Sequence, residues 1–157
     1  MQVFEMMSRK APPDGLYPIY INPSNGNFAN NKITFGAMGD SFYEYMLKCW
    51  LQLGQKDDYL RKMFDDSMDG VSKKLHQKST PTGLSYIADL NGGQLDHKMD
   101  HLVCFMGGNI ARPSEKPSRA NKGRQYAAKP IYLPYFVSLC ICRLFLSTVF
   151  FSRSKSV

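Results

Sequence analysis

The stretch that most constrains the fold of this chain is residues 34–50, TFGAMGDSFYEYMLKCW. Ser41 is a good helix-capping residue, and Glu44 three positions later completes the pattern of a capping box. The apolar residues that follow recur at steps of three and four, which predicts an amphipathic helix over residues 41–53. The predicted buried stripe comprises Phe42, Tyr45, Met46, Cys49, Trp50 and Leu53. Gly54 then occupies a position where helices commonly end in a left-handed residue.

This predicted helix places a carboxylate, Asp40, just before its first turn. The N-terminus of a helix carries a partial positive charge, so an ionised carboxylate is favoured there. Gly36 and Gly39 precede Asp40 and have no side chain that would keep backbone or a ligand away. The sequence therefore predicts a turn at which another group can approach Asp40 closely.

Further helices are predicted on both sides of this one. Val3, Met6 and Met7 have helical spacing at the start of the chain, which indicates the remainder of a helix. A second long helix is expected from Asp57 or Asp58 to about Lys78, and its short connection to the preceding helix favours an antiparallel pair. The residues expected on its inner side are Leu60, Met63, Phe64, Val71 and Leu75.

Two regions have the pattern of short strands. LYPIYIN at residues 16–22 is aromatic and β-branched, an Asn-Gly turn signal follows, and residues 28–35 can return as a second strand. Pro18 restricts the first of these strands to an edge. This hairpin either covers helix ends or forms the rim of a cleft, and the residues favour neither. GLSYIADL at residues 83–90 alternates in the manner of a strand and ends at a glycine pair.

The net charge of +7 is placed unevenly. Residues 1–111, here called the body, contain 11 Lys/Arg and 12 Asp/Glu, whereas residues 112–157, the tail, contain 9 Lys/Arg and one acid, Glu115. The near-neutral body does not have the charge of a nucleic-acid binder. In the tail, residues 131–151 carry one charge, Arg143, and are long enough to cross a bilayer. They are a candidate membrane segment or, alternatively, sequence unrelated to the body.

Cysteine and histidine spacing does not predict a metal site. Cys49 lies on the apolar stripe and is expected to be a buried thiol, and Cys140-x-Cys142 lacks the spacing of a zinc site. Two His and two Asp fall within residues 96–101, directly before an apolar run. This cluster is either a loop entering a functional site or the charged start of a helix.

The body resembles the class I α-1,2-mannosidases, glycoside hydrolase family 47. Four blocks within residues 2–111 carry the resemblance in the family's order and spacing: GLYPIYINPSNGNF (15–28), ITFGAMGDSFYEYMLKCW (33–50), MDG (68–70) with GLSYIADL (83–90), and KMDHLVCF (98–105). The resemblance implies a mainly α fold that is part of an (α/α)7 barrel with short β-hairpins. Residues 1–111 would be a partial catalytic domain, and residues 112–157 an unrelated basic linker and apolar segment.

The family resemblance also implies a function. Its members are inverting, Ca2+-dependent glycosidases that trim α-1,2-linked mannose from high-mannose N-glycans of glycoproteins, on the lumenal side of Golgi or endoplasmic reticulum membranes. Asp40 matches a catalytic acid/base carboxylate, Asp100 and His101 match a block that borders the glycan, and Cys104 matches one half of a disulfide. Met38 stands where endoplasmic-reticulum members have an arginine that contacts the glycan, so the resemblance favours a Golgi-type or plant-like branch preference.

Several family features have no counterpart in this sequence. We find no match to the upstream glutamate motif, the downstream glutamate, the threonine that binds Ca2+, or the partner of Cys104. The chain is therefore expected to be a fragment that is inactive alone, and no targeting signal is visible in it. The alternatives are a non-catalytic glycan-binding fragment and a membrane fragment anchored through residues 131–151.

Overall fold

The computed structural model describes residues 2–111. These residues are mainly helical with short antiparallel hairpins, which confirms the predicted class of secondary structure. The four helices are α1 (Gln2–Arg9), α2 (Asp40–Gln52), α3 (Asp58–Gly70) and α4 (Phe105–Ala111). The five strands are β1 (Lys32–Ile33), β2 (His76–Lys78), β3 (Ser85–Ile87), β4 (Asp89–Asn91) and β5 (Gln94–Asp96). Residues 1–103 form one compact unit, and α4 belongs to a second unit that begins at Cys104.

Helix α2 begins one residue earlier than the sequence pattern predicts. Gly39 occupies the cap position, Asp40 is the first helical residue, and no side chain donates or accepts a capping hydrogen bond. The predicted capping box at Ser41 is therefore wrong. The predicted end of the helix is confirmed, because Gly54 has φ +65° and the N–H groups of Gly54 and Gln55 donate to the carbonyls of Leu51 and Trp50. These two bonds make a Schellman motif.

The buried face of α2 is rotated relative to the predicted stripe. Tyr43, Met46, Leu47 and Trp50 are buried. Met46 and Trp50 were expected there, but Tyr45 is 50% exposed and Leu53 is 37% exposed. The rotation arises because the Tyr43 ring stacks on Phe35, with ring centroids 3.8 Å apart.

Helix α3 presents the predicted inner face to the core. Leu60, Met63 and Phe64 on α3 are buried, as are Val71 and Leu75 just after it, and Asp57 is the N-cap residue. The predicted end near Lys78 is wrong. The α-helix stops at Gly70, residues 71–75 form a π-helical turn, and His76–Lys78 form β2, which pairs with β3.

The strand predicted over residues 83–90 is divided between two sheets. Ser85–Ile87 pairs with β2, whereas Asp89–Asn91 lies between β1 and β5 in a three-stranded sheet. Gly92 and Gly93 both have positive φ, at 58° and 85°, so they form the tight turn between β4 and β5. Residues 16–22 do not form the predicted strand; they make one isolated bridge, between Ile21 and Phe28.

The core between α2 and α3 contains an aromatic residue and a paired charge. Trp50 is fully buried, and the guanidinium of Arg61 lies 5.2 Å from the centroid of its ring. Arg61 is 4% exposed, and its Nη2 is 3.0 Å from Asp65 Oδ1. Helix α3 thus carries a buried ion pair that covers the indole and joins the two helices.

The prediction of a candidate membrane segment at residues 131–151 falls outside the described residues. Within residues 2–111, none of the helices combines the length and apolar character that a membrane crossing requires.

Candidate functional site

The site is organised by the turn at residues 36–40, here called the glycine turn. The carbonyl of Gly36 accepts the N–H groups of Gly39 (3.1 Å) and Asp40 (2.9 Å), which closes the turn and starts α2. Thr34 Oγ1 accepts the Gly36 N–H at 3.0 Å. A Cβ at Gly39 would lie 2.0 Å from the carbonyl oxygen of Thr34, so the turn requires glycine at that position.

Asp40 lies at the N-terminus of α2 as its first residue and is half-buried. Its Oδ1 accepts the N–H of Ser41 at 2.8 Å. The partial positive charge of the helix end favours negative charge on this side chain. The predicted position of Asp40 beside the helix dipole is thus where the structure places it, although it begins the helix rather than preceding the cap.

Asp100 reaches the glycine turn from a distant part of the sequence. Its Oδ1 accepts the N–H of Leu102 at 2.9 Å, and its Oδ2 accepts the N–H of Ala37 at 3.4 Å. The hydrogen bond from Leu102 is the main cause that holds the pKa of Asp100 below its usual value; partial burial opposes this and the Ala37 hydrogen bond adds to it. Asp100 is therefore an anionic neighbour of the turn that carries Asp40.

His101 follows Asp100 at the start of a short 3-10 helix, His101–Cys104. Its side chain is 71% exposed, and its Nδ1 lies 3.3 Å from Asp100 Oδ1. The imidazole therefore lies beside Asp100 and is largely exposed to solvent. Of the two interpretations of residues 96–101, the charged start of a short helix and the functional loop, the structure contains features of both.

Met38 lies at the tip of the glycine turn with φ +74°, a backbone conformation that is uncommon for a residue with a side chain. Its side chain is among the exposed large apolar groups, at 60%. The hydroxyl of Tyr20 donates to Met38 Sδ at 3.4 Å, and Tyr20 is 47% exposed. An apolar surface thus adjoins the carboxylates.

Tyr20 is the residue at this site that sequence reasoning missed. The sequence pattern predicts Tyr20 only as part of a strand, and residues 16–22 do not form that strand. The available signal was that the block at residues 15–28, which contains Tyr20, carries the family resemblance together with the block at residues 33–50. Tyr20 contacts the glycine turn at the start of α2, which fits both a segment that covers a helix end and the rim of a cleft, so the two interpretations stay open.

Clusters of His, Cys, Asp and Glu side chains that could hold a metal ion are absent from residues 2–111. No group of three His, Cys, Asp or Glu side chains within residues 2–111 has the arrangement needed to hold one. The Ca2+ that the family resemblance implies stays a prediction, because such an ion can also be held by hydroxyl, carbonyl and water oxygens.

The two described cysteines differ in state. Cys49 is a free thiol that is half-buried on α2. Cys104 is disulfide-bonded. The sequence predicts that the family's partner for Cys104 is missing from the chain, and the described residues do not test this prediction.

Comparison with known proteins identifies relatives of this arrangement. The sequence profile of glycosyl hydrolase family 47 matches residues 1–133. This match continues beyond Ala111, where the resemblance of the four blocks ends, so the proposed division of the chain at residue 111 stays a prediction.

Three similar curated proteins are mannosidases. The chain is 48% identical over 99 residues to mannosyl-oligosaccharide alpha-1,2-mannosidase IA of Drosophila melanogaster, a match covering 63% of the chain and 15% of that protein. It is 40% identical over 126 residues to the human 1,2-alpha-mannosidase IB (80% and 19%) and 48% identical over 113 residues to MNS1 of Arabidopsis thaliana (70% and 20%). The chain thus spans at most a fifth of the length of these relatives.

A solved structure has the same fold. The alpha-1,2-mannosidase from Trichoderma reesei superposes with a TM-score of 0.62 at 24% sequence identity. The superposition covers 73% of this chain and 23% of that one. The helices and hairpins of the body therefore correspond to part of that mannosidase fold, which confirms the predicted fold class.

Proposed function

The chain belongs to glycosyl hydrolase family 47, and we propose that it carries one wall of the active site of a mannosyl-oligosaccharide 1,2-alpha-mannosidase. The observation that carries the proposal is the glycine turn. It gathers an exposed apolar side chain, Met38, a carboxylate at a helix N-terminus, Asp40, and the hydrogen-bonded Asp100 with its exposed neighbour His101. The family and the names of its relatives supply the substrate class, an α-1,2-linked mannose oligosaccharide.

In this proposal Asp40 is a catalytic carboxylate of an inverting hydrolysis. Inversion uses one carboxylic acid at the leaving oxygen and one carboxylate that activates water, with about 6.5–9.5 Å between them. A general base must be ionised to take the proton from that water, and the helix end favours the ionised form. Asp40 would accept the proton while the water oxygen bonds to the anomeric carbon, the glycosidic bond breaks, and the leaving oxygen takes the proton of the carboxylic acid.

The remaining residues of the site would contact the glycan. The His101 imidazole can donate or accept hydrogen bonds to sugar hydroxyls, because most of its surface is exposed. The Met38 side chain offers an apolar surface to the C–H face of a pyranose ring. High-mannose N-glycans of glycoproteins in the Golgi or endoplasmic reticulum lumen are the substrates that the family implies.

We also propose that these 157 residues bind the glycan but do not cleave it when they act alone. Asp100 is the other carboxylate that contacts the glycine turn, and both of its oxygens accept backbone N–H groups. It is thus held as an acceptor and its pKa is lowered, which is the opposite of what a general acid requires.

The test is a titration of the full chain with α-1,2-mannobiose, followed by two-dimensional amide NMR. We expect weak binding that shifts the amide signals of Met38, Asp40 and His101, with no free mannose released on prolonged incubation with Ca2+. An α-1,4-linked glucose disaccharide is the control ligand and should shift these signals much less. Equal shifts with both disaccharides, or none at the glycine turn, would contradict the proposed substrate class.

Cleavage has a separate readout. Calcium-dependent release of mannose that disappears in Asp40→Asn would support the role of Asp40 but would overturn the proposed inactivity. A second outcome is that the affinity for α-1,2-mannobiose survives Asp40→Asn, and that Asp40→Asn also leaves activity unchanged in a chimera in which a relative supplies the rest of the active site. That outcome would favour the non-catalytic glycan-binding alternative.

A further inference from the structure

A single carboxylate joins two segments of the body that are 63 positions apart. Asp100 Oδ2 accepts the N–H of Ala37 in the glycine turn, and Asp100 Oδ1 accepts the N–H of Leu102 in the 3-10 helix. The Asp100 carbonyl also accepts the Val103 N–H at 3.2 Å. Asp100 thus caps the short helix with one oxygen and holds the glycine turn with the other.

Steric contact reinforces this connection. A Cβ built on Gly36 would lie 2.3 Å from Asp100 Cβ, 2.6 Å from its Cγ and 2.8 Å from its Oδ2. The nearest of these atoms is the root of the side chain, which cannot move away without the backbone. Glycine at position 36 is therefore required by the close packing of Asp100, and the two residues form one packed unit.

The glycine turn needs such support. Met38 has φ +74°, and a residue with a side chain in a sparsely populated backbone region persists only where its surroundings hold it. Its N-terminal neighbour, Ala37, donates the hydrogen bond to Asp100. Asp40, two residues after Met38, is fixed through its N–H bond to Gly36.

We infer that Asp100 is a positioning residue that clamps the glycine turn, and so orders Met38 and Asp40 for the glycan, rather than a residue whose main role is to contact the sugar. Charge-assisted hydrogen bonds are roughly twice as strong as neutral ones. The negative charge of Asp100 is therefore part of the clamp. The inference rests on the proposed function only for its effect on glycan binding.

The first test compares Asp100→Asn with Asp96→Asn by hydrogen exchange of the full chain. Asparagine keeps the size of the side chain and removes its charge, so amides of the glycine turn should exchange about five- to tenfold faster, given the difference between charged and neutral hydrogen bonds. Asp96 is an exposed carboxylate on β5 and serves as the matched control. Unchanged exchange at residues 36–40 in Asp100→Asn would overturn the inference.

The second test follows the amide signals of the glycine turn by NMR while Asp100 gains its proton. A side chain that only fills space would not produce such a pH-dependent shift. As pH falls through the pKa of Asp100, which the Leu102 hydrogen bond holds below the usual value of an aspartate, the Ala37 amide signal should shift together with that of Leu102. His101 and Lys98 also influence the Asp100 charge, so the comparison with Asp100→Asn is what isolates the contribution of Asp100 itself. The shift at Ala37 should vanish in Asp100→Asn and remain in Asp96→Asn; a shift that survives in Asp100→Asn would refute the clamp.

The third test addresses packing with a double-mutant cycle. Gly36→Ala should speed exchange in the glycine turn of the unaltered chain. In the Asp100→Gly background, where the clashing Cβ is gone, the same change should have little further effect. Additive effects would show that the two residues act separately.

Hydrogen exchange is measured in the absence of glycan, so its result tests the clamp independently of the proposed function. If the turn loosens in Asp100→Asn but α-1,2-mannobiose binds to neither form, the clamp stands and the proposed function fails. If the clamp and the proposed function are both correct, Asp100→Asn should weaken mannobiose binding by no more than about five- to tenfold. This is the factor by which amide exchange in the glycine turn is expected to increase. A far larger loss of affinity, with exchange unchanged, would identify Asp100 as a direct sugar contact instead.

Discussion

Replacing Tyr43 by phenylalanine should destabilise the body substantially. The lost hydroxyl is the hydrogen-bond partner of both the backbone N–H and the backbone carbonyl of Tyr17, which is buried. Tyr43 on α2 is 1% exposed. Its hydroxyl accepts the N–H of Tyr17 at 2.9 Å and donates to the carbonyl of Tyr17 at 3.3 Å. Burial also raises the pKa of Tyr43 above its usual value, so the hydroxyl keeps its proton at ordinary pH.

The magnitude follows from the groups that are left without a partner. Phenylalanine retains the ring and its stacking on Phe35, so the change isolates the two hydrogen bonds. A buried donor or acceptor that loses its partner costs about 1–3 kcal/mol, and Tyr17 is 3% exposed. We therefore expect the free energy of unfolding to fall by about 2–4 kcal/mol, which lowers the Tm of a domain this size by about 10 °C or more.

Urea unfolding followed by the fluorescence of Trp50 measures this loss. Trp50 is the single tryptophan and is buried on α2. Tyr45→Phe is the matched control, because Tyr45 lies on the same helix but is 50% exposed, and it should change stability by less than about 0.5 kcal/mol. A loss in Tyr43→Phe no larger than the loss in Tyr45→Phe would refute the argument.

Three further outcomes are expected. Gly39→Ala should disrupt the start of α2, since its Cβ would lie 2.0 Å from the Thr34 carbonyl oxygen; circular dichroism should show lost helix, and an unchanged spectrum and Tm would contradict this. Asp14→Asn should lower stability at pH 7 by less than about 1 kcal/mol and leave it unchanged near pH 2. Burial alone would raise the pKa of Asp14, but the Lys74 and backbone hydrogen bonds lower it, so the contribution is present above about pH 4 and is lost as pH falls through the lowered value; urea unfolding at both pH values measures it, and a larger loss at pH 2 would have the wrong sign. In a chimera in which a relative supplies the rest of the active site, Met38→Arg should change which mannose branch is removed first, as resolved by chromatography of the glycan isomers. An unchanged order would show that Met38 does not determine branch preference.

The inner face of α3 was predictable because its burial follows from local periodicity over a long helix. The face of α2 was not, because apolar residues lie at two overlapping sets of helical positions. Tyr43 is buried and Tyr45 is exposed owing to contacts with Phe35 and Tyr17, which lie outside the helix. Local periodicity cannot distinguish two such sets.

The ends of the elements depended on pairing that the sequence pattern does not contain. Residues 76–78 have helix-compatible composition, but they pair with residues 85–87 as a strand. The helix start at Asp40 arises from the Gly36 carbonyl, which accepts the Asp40 N–H, rather than from the Ser41 side chain.

Family resemblance supplied the residue types of the candidate site but not its geometry. It assigned roles to Met38, Asp40, Asp100 and His101 separately. The contact between Asp100 and Gly36 is long-range, and only the folded structure shows that one carboxylate holds the turn. The roles of these residues in catalysis and binding stay predictions until they are measured.

The central claim, that Asp40 is a catalytic carboxylate of an α-1,2-mannosidase site, is tested most directly by a chimera. Residues 2–111 would replace the matching segment of the human mannosidase IB, and kcat would be measured on α-1,2-mannobiose with Asp40 intact and as Asp40→Asn. Loss of a general base predicts a fall in kcat of about 10²–10⁴-fold with KM nearly unchanged. An Asp40→Asn chimera that keeps the kcat of the Asp40 chimera would contradict the claim.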